Sequence, residues 1–95
     1  MYVQRFPSII VTGEMKIRVK AFAAVREILG YREREMELRD GSSVGDVFGI
    51  LSISFEELGE MKDSLIFAVN EEYCDEERVL DNNDILAILP PVSGG

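Results

Sequence analysis

The residues with the clearest chemical potential stand at the end of the sequence, in Pro90-Pro91-Val92-Ser93-Gly94-Gly95. Read as a free terminus, Gly95 offers a carboxylate on a tether with no side chains. Backbone without a Cβ enters a slot too narrow for any other residue. Such a carboxylate suits a protein whose C-terminus is itself the reacting group, and a frayed end is the plain alternative. At average glycine usage, two terminal glycines arise by chance in about 1 chain in 200, so context must decide. Rival chemistry is sparse. The 95 residues contain no histidine, the commonest general base and metal ligand. Cys74 is the single cysteine, which removes intrachain disulfides and CxxC redox or metal spacing. Asp75, Glu76 and Glu77 follow it directly, and like charges disfavour a thiolate. Cys74 therefore reads as structural or incidental.

The elements that must hold such a tail show in the periodicity. Met15-Lys16-Ile17-Arg18-Val19-Lys20-Ala21-Phe22 alternates apolar and charged residues, the period-two pattern of a half-buried strand with Ile17, Val19 and Ala21 inward. Phe22 is then expected on the wet face with Lys16, Arg18 and Lys20. Residues 23–29 read as a short helix with Val25, Ile28 and Leu29 on one face, closed by Gly30 as a left-handed cap. Residues 32–38 read as a second strand with Met36 and Leu38 inward, and Asp40-Gly41 as a turn.

Ser43 and Asp46 approximate a capping box that opens the main helix. Val44, Val47, Phe48 and Leu51 follow at i, i+3, i+4 and i+7, a stripe for packing on a sheet. Gly45 and Gly49 each weaken that helix by about 1 kcal/mol relative to alanine, and are expected to permit close packing on the sheet. Residues 52–64 are expected to form loop plus a helical turn. The run Leu65-Ile66-Phe67-Ala68-Val69 reads as a strand buried on both faces or nearly so, and Asn70-Glu71-Glu72 as a turn. Tyr73 starts a short extended stretch. Val79-Leu80 is a small apolar patch before the Asp81–Asp84 turn. Ile85-Leu86-Ala87-Ile88-Leu89 is the last strand, apolar on both faces, and Pro90-Pro91 stops it because neither residue donates a ladder hydrogen bond. The sum is one small α+β domain, a sheet with one covered face. Residues 1–14 stand apart. They read either as an unstructured lead-in from an upstream start codon or as an extra edge strand through Ile9-Ile10-Val11.

The bulk properties narrow the partners. A formal net charge of −8 lacks the basic footprint of a nucleic-acid binder. It is explained by solubility, or by steering toward a basic partner protein. No run of 18 apolar residues exists, so no membrane span is expected. Residues 1–14 lack the apolar core of a signal peptide, and a cytoplasmic location is expected.

Three blocks carry a resemblance. They are Ala21-Phe22-Ala23-Ala24-Val25-Arg26-Glu27-Ile28-Leu29-Gly30, then Ala68-Val69-Asn70 with Leu80-Asp81-Asn82-Asn83-Asp84, then Ile88-Leu89-Pro90-Pro91-Val92-Ser93-Gly94-Gly95. In these the chain resembles MoaD, the small sulfur-carrier subunit of molybdopterin synthase. The likeness covers residues 15–95. The extension before Met15 is unusual for that family, and residues 52–64 are hard to align. The related thiamine sulfur carrier ThiS shares the Gly-Gly end but typically lacks the first block and the Pro-Pro pair.

The resemblance implies a ubiquitin-like β-grasp fold, a mixed sheet with one main helix packed on one face. It also implies that the Gly95 carboxylate, with Gly94 beside it, is adenylated by an E1-like, MoeB-like enzyme and converted to a thiocarboxylate. The thiocarboxylate then gives its sulfur to a pterin precursor in the MoaE-like large subunit. The chain itself is then a non-catalytic carrier, with no metal and no stably bound cofactor, and ATP is used by the activating enzyme. Val92-Ser93-Gly94-Gly95 reaches about 13 Å when extended, at about 3.3 Å per residue, and Pro90-Pro91 stiffens its base. Phe22 and Leu89 are the expected docking residues, with Pro90, Pro91, Val92 and Ser93 alongside. Arg26 reads as an ordinary solvated helix residue. Two functional alternatives share the same activated end: a ubiquitin-like modifier joined to lysines through Gly95, and a ThiS-type carrier for thiamine synthesis. A small binding module with incidental glycines is the fourth reading.

Overall fold

The computed structural model describes residues 15–91. Residues 1–14 and 92–95 lie outside it, and with them the expectations for the N-terminal segment and for Val92, Ser93, Gly94 and Gly95. The elements run β1 (Met15–Ala21), α1 (Ala23–Leu29), β2 (Glu33–Leu38), α2 (Val44–Ser54), α3 (Glu56–Glu60), a 3-10 turn (Lys62–Ser64), β3 (Ile66–Val69), β4 (Glu72–Cys74) and β5 (Ile85–Leu89).

The strands form one sheet in the order β2-β1-β5-β3-β4. β1 pairs with β5 in parallel and every other pairing is antiparallel. The sheet is mixed, as expected. β1 alternates as the sequence predicts, with Met15, Ile17, Val19 and Ala21 buried. The helix stripe Val44, Val47, Phe48 and Leu51 is buried against that face. The Phe48 and Phe67 rings meet edge to face, 5.6 Å apart at 75°, a favoured aromatic geometry that ties α2 to β3. Removing each of these side chains from water stabilises the fold by roughly 1.5–3 kcal/mol, far more than an exposed ion pair such as Arg18–Glu33 at 3.1 Å.

Local signals set the helix ends. The Ser43 Oγ accepts from the Asp46 N–H at 3.2 Å, and the Asp46 carboxylate accepts from the Ser43 N–H at 2.9 Å. This is the full reciprocal box. Gly30 has φ 84° and its N–H donates to the Arg26 carbonyl at 2.8 Å.

Two expectations are corrected. Residues 52–64 are more helical than loop plus one turn. α2 continues to Ser54, where the Ser52 hydroxyl returns its bond to the Phe48 carbonyl at 2.8 Å, so serine does not break the helix there. Leu58, fully buried, then anchors α3. The second correction concerns the helix glycines, neither of which packs on the sheet. A Cβ on Gly45 would stand 3.2 Å from the Glu76 carbonyl, to which the Gly45 N–H donates at 2.9 Å. Gly49 faces open space.

β5 is also more sharply two-sided than a strand apolar on both faces implies: Leu86 and Ile88 are fully buried, while Ile85 is 38% exposed and Ala87 and Leu89 are half-buried. β3 matches its expectation, with Phe67, Ala68 and Val69 buried.

One polar cluster fixes where β5 begins. Asn70 and Glu71 have φ of 51° and 72°, the left-handed pair of a two-residue hairpin. The Asn70 side chain donates to the buried Asp84 carboxylate at 2.9 Å and accepts from the Ile85 N–H at 2.9 Å. Asp84 also accepts from the Asp81 N–H at 2.7 Å. Truncating Asn70 strands a buried carboxylate oxygen and a strand N–H. Asn70→Ala is expected to cost about 2 kcal/mol, read as a lowered urea midpoint with an unchanged slope.

Candidate functional site

Strand alternation gives the sheet a second face that no described helix covers. β1 sends Lys16, Arg18 and Lys20 to it, in register with Glu37, Glu35 and Glu33 of β2. Arg18 reaches Glu33 at 3.1 Å and Glu35 at 4.0 Å. Three cations and three anions balance this half of the face. The other half is apolar. β5 contributes Ile85, Ala87 and Leu89, β3 contributes Ile66 paired with Leu89, and β4 contributes Tyr73 paired with Ala68.

Phe22 completes the apolar half. It follows β1 directly, is 42% exposed and keeps extended backbone with φ −126° and ψ 147°. Its carbonyl accepts from the Val25 N–H at 3.0 Å, so the ring leaves the strand on the face while the backbone turns into α1. The parallel register pairs Ala21 with Ile88, and one residue further on stand Phe22 and Leu89.

The expected docking pair is therefore brought to adjacent strands. Leu89 alternates with the fully buried Leu86 and Ile88, and stands half-buried on the open face. Pro90 is half-buried and Pro91 exposed, so the tail leaves from the edge of the apolar half. Arg26 is exposed on α1.

Sequence reasoning missed Tyr73, 81% exposed, and Ile85. An isolated tyrosine in a three-residue strand carries no periodicity, and its place on the face follows from its pairing with Ala68. For Ile85 a signal existed. A strict period-two reading of β5 would have sent it outward with Ala87 and Leu89.

Cys74 is partly buried behind this face, packed against the core. Burial is the main cause pushing its thiol up. Asp75 adds to this, while Arg78 and a backbone hydrogen bond at Val69 oppose it. The expected direction holds, with burial ahead of the acidic neighbours as its cause. Among the described residues, no group of three or more Cys, Asp or Glu converges as a metal site would require. No described helix is long and apolar enough to cross a membrane.

The sequence matches the ThiS family over residues 19–95. The chain belongs to this family. A relative from Arabidopsis thaliana, the molybdopterin synthase sulfur carrier subunit, is 33% identical over 84 residues, covering 88% of each chain. Among solved structures, a putative molybdopterin converting factor subunit 1 from Pyrococcus furiosus is similar at 30% identity and a TM-score of 0.74. The match covers 83% of this chain and 100% of that one. Small archaeal modifier protein 1 from Haloferax volcanii matches at 26% identity and a TM-score of 0.71, covering 82% and 99%.

At lower identity the fold alone is shared. Subunit 1 in the Helicobacter pylori complex of molybdopterin-converting factor subunits 1 and 2 is 24% identical with a TM-score of 0.63. Caldiarchaeum subterraneum ubiquitin is 15% identical with a TM-score of 0.56. The fold of this ThiS-family chain is thus the ubiquitin-like β-grasp.

Cys74 should alkylate slowly in the folded protein. At pH 7.5 its rate with iodoacetamide is expected to fall below that of a free thiol, rising as the pH passes above the ordinary thiol range. Reaction as fast as a free thiol at pH 7.5 would contradict the raised pKa.

Proposed function

We propose that this chain is the sulfur carrier of a molybdopterin synthase, serving molybdenum or tungsten cofactor biosynthesis. The observation that carries the reading is the placement of β5. The strand that leads to Pro90-Pro91 and on to Gly94-Gly95 lies in the sheet between β1 and β3 and borders the apolar half of the uncovered face. Family membership and the sulfur-carrier relatives support the same reading.

The chemistry follows from the inertness of a carboxylate. Its charge and resonance repel nucleophiles, so Gly95 is activated by an E1-like partner. A carboxylate oxygen attacks the α-phosphorus of ATP, pyrophosphate leaves, and a mixed anhydride forms. A sulfur donor at the sulfide level attacks the acyl carbon and AMP departs, leaving a thiocarboxylate. Its soft, anionic sulfur attacks the pterin precursor in the large subunit, and water at the acyl carbon restores the carboxylate. The carrier's own residues dock and aim. Phe22 and Leu89 bury against each partner, Pro90-Pro91 limit the entropy lost on insertion, and Val92-Ser93-Gly94-Gly95 enter the partner's channel. The carrier supplies no catalytic group and holds no cofactor of its own. ATP belongs to the activating enzyme, and the cycle runs in the cytoplasm. Docking of the large subunit is supported by the complex of subunits 1 and 2 in the Helicobacter fold relative.

The likeness to a small archaeal modifier favours one second reading, in which the activated Gly95 acylates a lysine. Intact mass of the chain isolated from its host separates the two. Exchange of one carboxyl oxygen for sulfur at Gly95 is expected for the carrier, and Gly95 linked to a lysine Nζ for the modifier. Deleting Gly95 should abolish molybdopterin formation with the purified large subunit, and synthesis that survives the deletion would sink the proposal. Phe22→Ala should weaken large-subunit binding by more than about 1 kcal/mol. Unchanged affinity in calorimetry removes Phe22 from the docking surface.

A further inference from the structure

The open face is not flat beside Phe22. A hollow of about 330 Å3 lies between Lys20, Phe22, Asn70, Glu71, Ile85 and Ala87. Ile85 and Ala87 form its floor from β5, and Phe22 stands at one rim. The hairpin turn Asn70-Glu71 forms the opposite rim.

Both rims rest on backbone that side chains rarely adopt. Ala23, next to Phe22, has φ 48°, and Glu71 has φ 72°. Neither is a glycine or an asparagine, the residues that tolerate this region. Glu71 takes it as part of the two-residue hairpin, and such conformations persist where the surroundings hold them. The hollow is thus a built feature of the face, and it adjoins the surface from which the tail departs.

Its polar groups set what fits. Lys20 offers a donor and Glu71 an acceptor, and neither is in an ion pair among the described residues. Asn70 already uses both side-chain ends on Asp84 and Ile85. A cation entering the hollow meets the Lys20 ammonium, and an anion meets the Glu71 carboxylate. A neutral group that accepts from one and donates to the other satisfies both, and a hydroxyl does this. The floor and the Phe22 rim call for an apolar ring below that hydroxyl, in offset or edge contact with Phe22.

We propose that the hollow receives a single phenolic side chain of the large subunit, a tyrosine that anchors the docked carrier with its ring on Ile85 and Ala87 and its hydroxyl between Lys20 and Glu71. The inference rests on the docking reading above and adds to it the chemistry of the anchor.

Binding of purified large subunit to the full-length carrier, measured by calorimetry, tests it with four variants. Ala87→Leu fills the hollow from its floor without touching the buried Leu86 and Ile88, and should lose more than tenfold in affinity with an unchanged melting temperature. Lys20→Met and Glu71→Gln, both surface changes that leave the fold intact, should each weaken binding about three- to tenfold. Tightening by Lys20→Met points to a cationic anchor and tightening by Glu71→Gln to an anionic one, and either result overturns the phenol. Leu89→Asp reports on docking itself. If it abolishes binding while the three hollow variants bind like the unaltered carrier, docking stands and the hollow is overturned. If Leu89→Asp also binds normally, the docking reading fails first.

Discussion

The position of β5 between β1 and β3 is the constraint on which the rest of this structure depends. A strand at a sheet edge would have one row of partners. Here β5 pairs in parallel with β1 through Arg18–Ile85 to Ala21–Ile88, and antiparallel with β3 through Ile66–Leu89 to Val69–Leu86. Both rows of its backbone groups are engaged and Leu86 and Ile88 are fully buried. The last residues of β5 are therefore among the best held of those described. A rigid base limits the conformations a short tail must give up on entering a channel. The parallel β1–β5 pair also requires a long crossover between them, and the chain uses it to place α2 over one face, with no described helix on the other.

The polar cluster at the other end of β5 serves the same geometry. The Asp81–Asp84 turn is bound to β1 by the Asn83 N–H to the Lys16 carbonyl at 2.7 Å and the Arg18 N–H to the Asp84 carbonyl at 2.9 Å. Asn70 binds it to the β3–β4 hairpin. Three strands are thus registered by one turn before β5 begins. A slip of one residue in β5 would send Leu86 and Ile88 to water and Ile85, Ala87 and Leu89 into the core, destroying the core and the apolar face together. That the same cluster shapes one rim of the hollow links the register of the fold to the surface it presents.

Much of this was legible in the sequence because the signals are local. The alternation of β1, the stripe on α2, the Ser43–Asp46 box and the Gly30 cap each involve residues within a few positions of one another, and each stands where it was read. The resemblance of the three blocks reached the family and the fold. What the sequence hid is non-local. Gly45 answers to Glu76, thirty-one residues away, so its reason cannot be found on its own helix. α3 exists because Leu58 meets the core, against a segment whose serines and glycine argue for loop. Tyr73 reaches the open face through its pairing with Ala68, and no pattern within a three-residue strand announces that. Phe22 was read correctly as outward, yet the hollow beside it arises from β5 and the hairpin, elements that become its neighbours when the sheet closes.

The charge distribution decides between two readings of the acidity. If the net charge of −8 steered docking, acidic residues should crowd the face from which the tail departs. Instead Lys16, Arg18 and Lys20 oppose Glu37, Glu35 and Glu33 there, pair by pair, and the apolar half carries no charge of its own beyond the Lys20 and Glu71 rims of the hollow. The excess lies on α3 and the segment after β4, in Glu56, Glu57, Glu60, Asp75, Glu76 and Glu77. Charges on α3, which packs against α2 on the covered side, reach the docking face only through the sheet, and salt screens them with a Debye length of about 8 Å at physiological ionic strength. The acidity therefore serves solubility first. Under the proposed function, recognition is left to a neutral, partly apolar surface whose specificity comes from shape and from a few polar groups, as suits a carrier whose one face meets an activating enzyme and a synthase in turn.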